Sequence, residues 1–506
     1  MTRYLSPTKV LALALVPVVA GIYLYVFKDL SAVVGGDVPS YVNLDPSRPV
    51  AYGAFLNAAL KLGFGLDAIP LIQAAFLLGC LWATACAWTA CTGQFLLALA
   101  WQGLTVANVL LVQSSVYILP DTVSAALIML ALASWIGIAA RYSRTRLCVL
   151  LLVCGIAGLV RPTNLILLVV TGGLLLCLPG LIGRERLIGL GAATTVSLLT
   201  LVASPAFYFY RYGSAATSSP AARGLLQKTL FTGWPPDETA ARCGGEVIGT
   251  ATRDVVKYLE AAPPLERSVL EDKYSNYLRF SVIIPELQVK FDLKSEGEIN
   301  SLIACYVFAR FKQDPIHFGG RFARDYLRLG LYLVFIDAQQ RAQYETFVAA
   351  NPPPQPAASV RLGDQISEGL SRAGMILPLG VRPDEATGLF DPPLARATLP
   401  LLLLRVFQAL ALAISAVALV QFLLEIVRLT RTTSDMVMVW SALILQLNTI
   451  ATAAFEVPLP RYMTPLWPLS VAIVVLAGWM AMPLARAALR RSGSEAARSG
   501  LTLQPR

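Results

Sequence analysis

Two aspartates, Asp37 and Asp45, stand in GGDVPSYVNLDPSRPVAYGAF at residues 35–55, just after the first long apolar run. A positioned carboxylate can take the proton of an alcohol as that alcohol attacks an electrophile, which an unaided hydroxyl does poorly at neutral pH. Three further stretches put charge beside apolar runs. SSVYILPDTVSAAL carries Asp121, LVRPTNLIL carries Arg161, and AFEVPLPRYMTPLWPLSVAI carries Glu456, Arg461 and Tyr462. Arg405 lies within the apolar run LPLLLLRVFQAL. A charge there is costly and marks a functional candidate. A guanidinium fork matches two phosphate oxygens. The chemistry on offer is a carboxylate for proton transfer and arginines for an anion.

Each residue also has a plainer reading. Gly-Gly-Asp-x-Pro is good turn chemistry, so Asp37 could cap the turn that follows. LDPSRP is a stronger turn and cap signal, and Asp45 is assigned to it. Asp121 after Pro120 is ordinary helix-start punctuation. Arg161 could be an interfacial anchor, and Arg405 could reach the interface if its helix starts late. His317, the single histidine, lies in QDPIHFGGRFARDYLRLGLYLVF and is read as structural. That stretch is expected to be an amphipathic helix lying against the membrane surface.

The elements that must position these groups are membrane spans. The 506-residue chain is 56% hydrophobic and 14% charged, against about 25% charged in soluble domains. A helix crosses a bilayer in roughly 20 apolar residues. By that measure spans are expected near 9–27, 69–90, 94–117, 121–140, 147–160, 164–182, 187–209, 399–424, 436–454 and 463–483. The first is read as a retained signal anchor. The basic short loops Arg141–Arg146, Arg184–Arg186 and Arg428–Arg431, with the tail Arg486, Arg490 and Arg491, fall on the side of the N-terminus. The Lys/Arg bias makes that side cytoplasmic. It also accounts for the net charge of +10 without nucleic acid.

The expected class is a mainly α, polytopic helical bundle of about ten helices with cytoplasmic termini. Residues 1–209 form an N-terminal transmembrane module with its first external loop at 28–68. Residues 210–398 form one extracytoplasmic mixed domain, with helices at 251–260 and 265–279 and a Pro-rich stretch at 351–358. Residues 399–484 form a C-terminal transmembrane module, and 485–506 a cytoplasmic tail. Of the eight cysteines, Cys243 and Cys305 alone lie in the polar block and could pair if it is extracytoplasmic. The chain has no CxxC pair or Cys/His cluster of the kind that holds zinc.

The loop motifs resemble the multi-spanning glycosyltransferases of the GT-C superfamily, including the protein O-mannosyltransferase and aminoarabinose transferase families. Those proteins place Asp-x-x-x-Tyr in the first external loop, followed by an Arg-Pro-Pro-x-Tyr-like stretch. Asp37 and Tyr41 match the first part; Arg48, Pro49 and Tyr52 match the second, with Val50 where a second proline is common. Arg461, Tyr462 and Pro465 match the Arg-Tyr-x-x-Pro that opens a late helix in the superfamily. The resemblance implies that Asp37 is the general base on an acceptor hydroxyl and that Arg461 contacts the phosphate of a lipid-linked donor. It puts Asp121 near the catalytic acid. Tyr41, Arg48, Asp121, Arg161, Arg405, Glu456, Arg461 and Tyr462 are the candidate substrate-binding residues.

The resulting expectation is an inverting transfer of sugar from a polyprenyl-phosphate donor to a glycan, lipid or protein acceptor. The site faces the periplasm of a bacterial inner membrane. No nucleotide-binding signature is present, and no nucleic-acid partner is expected. These residues identify no cofactor, and a divalent metal ion stays open. The rival readings are a transporter or lipid flippase and a non-catalytic envelope assembly protein. Transporters show internal repeats and ionisable groups near the midplane, whereas the acids here cluster in loops.

Overall fold

The computed structural model describes residues 5–27, 32–34, 37–45, 48–178, 181–212, 220–231, 238–261, 271, 275, 278–293, 296–330, 382–383, 399–424, 432–455 and 462–482. These residues are almost entirely helical. Apolar runs this long and nearly free of charge leave the backbone no better way to satisfy its own N–H and C=O groups in lipid. Among the described residues, seven helices are long and apolar enough to cross a membrane, the architecture of a multi-pass membrane protein.

In chain order the N-terminal elements are α1 (Pro7–Phe27), the two-residue strand β1 (Val33–Val34), α2 (Val38–Val42), α3 (Val50–Lys61), α4 (Ile69–Thr92), α5 (Phe95–Val106), α6 (Val109–Gln113) and α7 (Pro120–Ala140). Then come α8 (Arg144–Val160), α9 (Leu165–Leu176) and α10 (Gly183–Tyr212). The expected span at 94–117 is broken: α5 and the helix after it bend by 71°. The cause is Asn108, whose side chain accepts the amide of Leu110 at 3.0 Å and starts a new helix. α8 and α9 are shorter than the seven long helices. Where α8, α9 and α10 meet, a Cβ at Gly155 would stand 3.1 Å from Val196, and one at Gly158 would stand 3.1 Å from Leu165 and Thr200. Small residues of this kind let membrane helices approach closely.

α16 (Leu399–Leu424), α17 (Thr433–Phe455) and α18 (Thr464–Met482) complete the bundle. α7 is its axis, buried along most of its length. Indole N–H groups tie the two halves together. Trp101 donates to the Pro468 carbonyl at 2.9 Å, Trp135 to that of Met436 at 3.0 Å, and Trp440 to Thr171 Oγ1 at 3.1 Å. Outward-facing Leu15, Val19 and Ile22 on α1 and Leu198, Leu201 and Val202 on α10 are exposed, as lipid-facing side chains are.

A second unit lies between the two halves: α11 (Pro220–Thr229), α12 (Glu246–Ala261), α13 (Ile284–Lys290), α14 (Glu296–Gln313) and α15 (Pro315–Gly330). It has its own core, which includes Leu226, Val255, Leu259, Leu287 and Ile303. A disulfide joins Cys243 to Cys305, with Cα atoms 5.7 Å apart. Gly244 has φ +87°, and a Cβ there would stand 2.6 Å from Leu287, so glycine is required. The described residues between 220 and 330 are mainly helical. Val247, Ala251, Val255 and Leu259 recur at helical spacing. The strand pairing among the described residues joins β1, in parallel, to β2 (Arg382–Pro383). The expected helix at 265–279 falls largely outside the described residues.

α15 forms and is amphipathic, with Ile316 and Leu327 exposed. Its charged face turns inward because counter-charges await it. Arg321 Nη1 donates to the carbonyls of Gln227 at 2.7 Å and Leu230 at 3.0 Å, closing the end of α11. Its Nη2 is 2.6 Å from Glu271, and buried Asp325 pairs with buried Lys228. Tyr326 donates to Gln446 of α17, and Leu329 is part of the bundle core. α15 therefore docks the second unit onto the bundle.

Candidate functional site

The segment between α1 and α4 is built as a platform. α2 packs on α3 at Gly53, where a Cβ would meet the Tyr41 carbonyl oxygen at 2.5 Å. Asn57 Nδ2 bridges the two helices, donating to the carbonyls of Val42 and Gly53, each at 2.9 Å. α10 clamps the platform from the side. Tyr208 donates to the Arg48 carbonyl at 2.7 Å and Tyr212 to that of Asn43 at 3.1 Å.

Asp37 occupies the N-cap position of α2, yet its side chain makes no capping bond. Its Oδ1 instead pairs with Arg48 Nη2. Arg48 Nε donates to Ser40 Oγ at 3.0 Å, and Ser40 Oγ donates to the Asp37 carbonyl at 2.6 Å. The Arg48 guanidinium lies 5.4 Å from the Tyr41 ring centroid. Asp45 acts through its backbone, in the turn expected of it: its N–H bonds Ser40 at 2.8 Å and its carbonyl accepts from Arg48 N at 3.0 Å.

A continuous path leads from this pair into the bundle. The Tyr41 and Tyr52 rings meet edge to face, with centroids 5.0 Å apart. Tyr52 is fully buried and donates to Gln73 Oε1 at 3.0 Å. Burial, reinforced by the charges of Tyr41 and Asp121, keeps its phenol protonated well above the usual range. Gln73 Nε2 in turn holds the carbonyls of Ser115 at 3.0 Å and Tyr117 at 2.9 Å, fixing the turn before α7. Asp121, in the first turn of α7, is 5% exposed and bonds Arg161 at 2.8 Å. The Arg161 guanidinium lies 4.7 Å from the Tyr462 ring centroid. Asn164, three residues on, donates to Ser124 Oγ at 2.8 Å.

Six predicted residues, Asp37, Tyr41, Arg48, Asp121, Arg161 and Tyr462, thus gather at one end of the bundle. Arg161 turns inward to the buried Asp121 carboxylate and keeps 13% of its side chain exposed. Arg405 is half-buried on α16 and makes no ion pair with Asp37 or Asp121 among the described residues. Glu456 and Arg461 lie outside the described residues. Sequence reasoning passed over Ser40, Gln73 and Tyr208. Gln73 carried a signal, a single amide in an otherwise apolar span, and Tyr208 carried none. No group of three or more His, Cys, Asp or Glu side chains that could hold a metal ion stands together among the described residues.

The opposite end carries the basic loops at 141–146 and 184–186; Arg428–Arg431 lie outside the described residues. Arg146 Nη1 donates to the carbonyls of Gly137 at 2.6 Å and Arg141 at 2.8 Å, and Arg144 lies 3.6 Å from Glu185. The two ends differ chemically: the site end pairs a buried carboxylate with Arg161, whereas the Arg144–Glu185 contact at the opposite end is largely exposed on its arginine side. No family model, no curated protein and no solved structure matches the chain.

Proposed function

We propose that the protein is a membrane glycosyltransferase. It moves a sugar from a polyprenyl-phosphate-linked donor to an acceptor hydroxyl on the extracytoplasmic side, with inversion. The observation that carries this reading is the Asp37 carboxylate. It is held by Arg48, is about one-third exposed, does not cap its helix, and stands at the bundle end where Asp121, Arg161 and Tyr462 converge. A carboxylate kept ordered and solvent-accessible, with no capping task, is suited to proton transfer.

Asp37 takes the acceptor proton as the acceptor oxygen bonds the anomeric carbon. The bond from that carbon to the phosphate oxygen breaks on the opposite face, and its electron pair leaves with the phosphate. Arg461, the neighbour of Tyr462 in sequence, is assigned the developing phosphate charge. Tyr41, Arg405 and Glu456 are assigned to the donor and acceptor. The second unit receives the glycan, lipid or protein acceptor. A disulfide in that unit fits an oxidising compartment, and arginine-rich turns at the other end fit a cytoplasmic face. Both favour a site on the extracytoplasmic side, and a bacterial inner membrane with the site towards the periplasm is the assigned location.

The test is sugar transfer by the purified protein in detergent across a panel of polyprenyl-phospho-sugars, with Asp37→Asn beside the wild type. Transfer by the wild type and none by a folded variant supports the reading. If neither protein transfers sugar and cells tolerate Asp37→Asn, the reading fails.

A further inference from the structure

The two acid–arginine pairs at the site end differ in access. Asp37 and Arg48 are 34% and 31% exposed, whereas Asp121 and Arg161 are 5% and 13% exposed. A ligand can reach the first pair without separating helices; the second is closed to it.

Arg48 is also held independently of Asp37. Its Nε bonds Ser40 at 3.0 Å, its guanidinium lies beside the Tyr41 ring at 5.4 Å, and its carbonyl accepts from Tyr208 at 2.7 Å. If Asp37 let go, the arginine would keep its place. Carboxylate and phosphate oxygens fit the same guanidinium fork. A phosphate monoester carries about −1.5 to −2 charges, against one for a carboxylate. The Asp37 carboxylate therefore occupies the position that a phosphate oxygen would take.

We propose that Arg48 is a phosphate-binding residue whose partner exchanges. A lipid phosphate takes the guanidinium from Asp37 and thereby releases the carboxylate. That the released carboxylate then serves as the base rests on the glycosyltransferase reading; the exchange itself does not. The device couples the two events: Asp37 is freed only when a phosphate is seated beside it.

The exchange has an unusual sign. Asp37 competes with the ligand, so removing its charge strengthens binding. The experiment is calorimetric titration of the full chain in detergent with farnesyl phosphate, and separately with inorganic phosphate. Asp37→Asn is expected to bind farnesyl phosphate about two- to fivefold more tightly, the range of a partly exposed ion pair. Arg48→Gln is expected to bind about tenfold or more weakly, from loss of charge-assisted bonds. Arg48→Lys keeps the charge without the fork, and is expected to fall between wild type and Arg48→Gln. Thermal unfolding of each variant establishes that it is folded.

Wild-type or weaker affinity in folded Asp37→Asn overturns the proposal, as does unchanged affinity in Arg48→Gln. If inorganic phosphate shows the same pattern, the site takes phosphate in general; if farnesyl phosphate alone does, it takes a lipid headgroup. Either pattern supports the exchange. Tighter binding by Asp37→Asn without sugar transfer from any donor would uphold the exchange and sink the glycosyltransferase reading. Transfer without tighter binding would do the reverse.

Discussion

Arg161, the residue that ends α8, donates across 2.8 Å to the carboxylate of Asp121 in the first turn of α7. Its guanidinium also lies against Tyr462, just ahead of α18. Three segments far apart in sequence are fastened at one point. Asp121 is buried and Arg161 is 13% exposed, so the bond holds the site end of the bundle together.

Arg161→Gln leaves the Asp121 carboxylate buried without its cation. Breaking a buried pair from one side costs about 3–5 kcal/mol. A large fall in thermal stability in detergent is expected. Adding Asp121→Asn should restore part of the loss, since no uncompensated charge then remains. Strict additivity of the two changes would show that they do not act as a pair.

Asp37→Asn should behave in the opposite way. Its pair with Arg48 is partly exposed, and such pairs contribute about 1 kcal/mol or less. Unfolding should therefore shift little. If Asp37 is the general base, transfer should fall by about 10²- to 10⁴-fold. A large stability loss with proportionate loss of transfer would instead make Asp37 structural.

The Cys243–Cys305 bond spans 62 residues of sequence. The chain-entropy relation for a loop of that length gives about 4 kcal/mol. Cys243→Ser with Cys305→Ser should destabilise the second unit while leaving the bundle helices intact. Hydrogen exchange resolves the two units, and protection of 220–330 should fall selectively. Thiol alkylation of the unreduced protein should leave both cysteines unmodified.

Acid should weaken the second unit in two steps. Burial and the Arg321 guanidinium lower the His317 pKa, with Arg324 adding to them and Asp314 and Glu271 opposing. Protonation then disfavours the fold, so stability falls as pH drops below the unfolded value of roughly 6.5. For Glu271, burial raises the pKa, but the charge of Arg321 and the hydrogen bonds from Arg324 and Arg321 outweigh it and leave the carboxyl below its usual range. Its contribution is present above roughly 4.3 and is lost as pH falls through the lower folded value. Melting temperature against pH should show both steps. His317→Gln should abolish the first and spare the second; survival of the first step in that variant would place its origin elsewhere.

The spans expected at 69–90 and 121–140 became α4 and α7 with little change at their ends. Apolar runs of that length have no stable alternative in a bilayer, so their identity is local information. The break at Asn108 was less visible, because an amide in a largely apolar run turns the chain only if its side chain takes a backbone N–H, and Gln102 and Gln113 flank it in the same run. The second unit's helices were legible at 251–260, where the apolar spacing is helical, while its docking through α15 was not.

By itself the sequence determined which segments are greasy helices, which turns are basic, and which few acids and arginines stand at their ends. Composition and spacing carry that information because each depends on neighbours along the chain. Only the tertiary structure decided what those charges touch. Asp37 abandoned its cap for Arg48, Arg161 turned inward to Asp121, and Asp325 found Lys228 from 97 residues away. A charge near an apolar interior takes whichever opposite charge the packing brings within reach, and that choice is made across the fold rather than along the sequence.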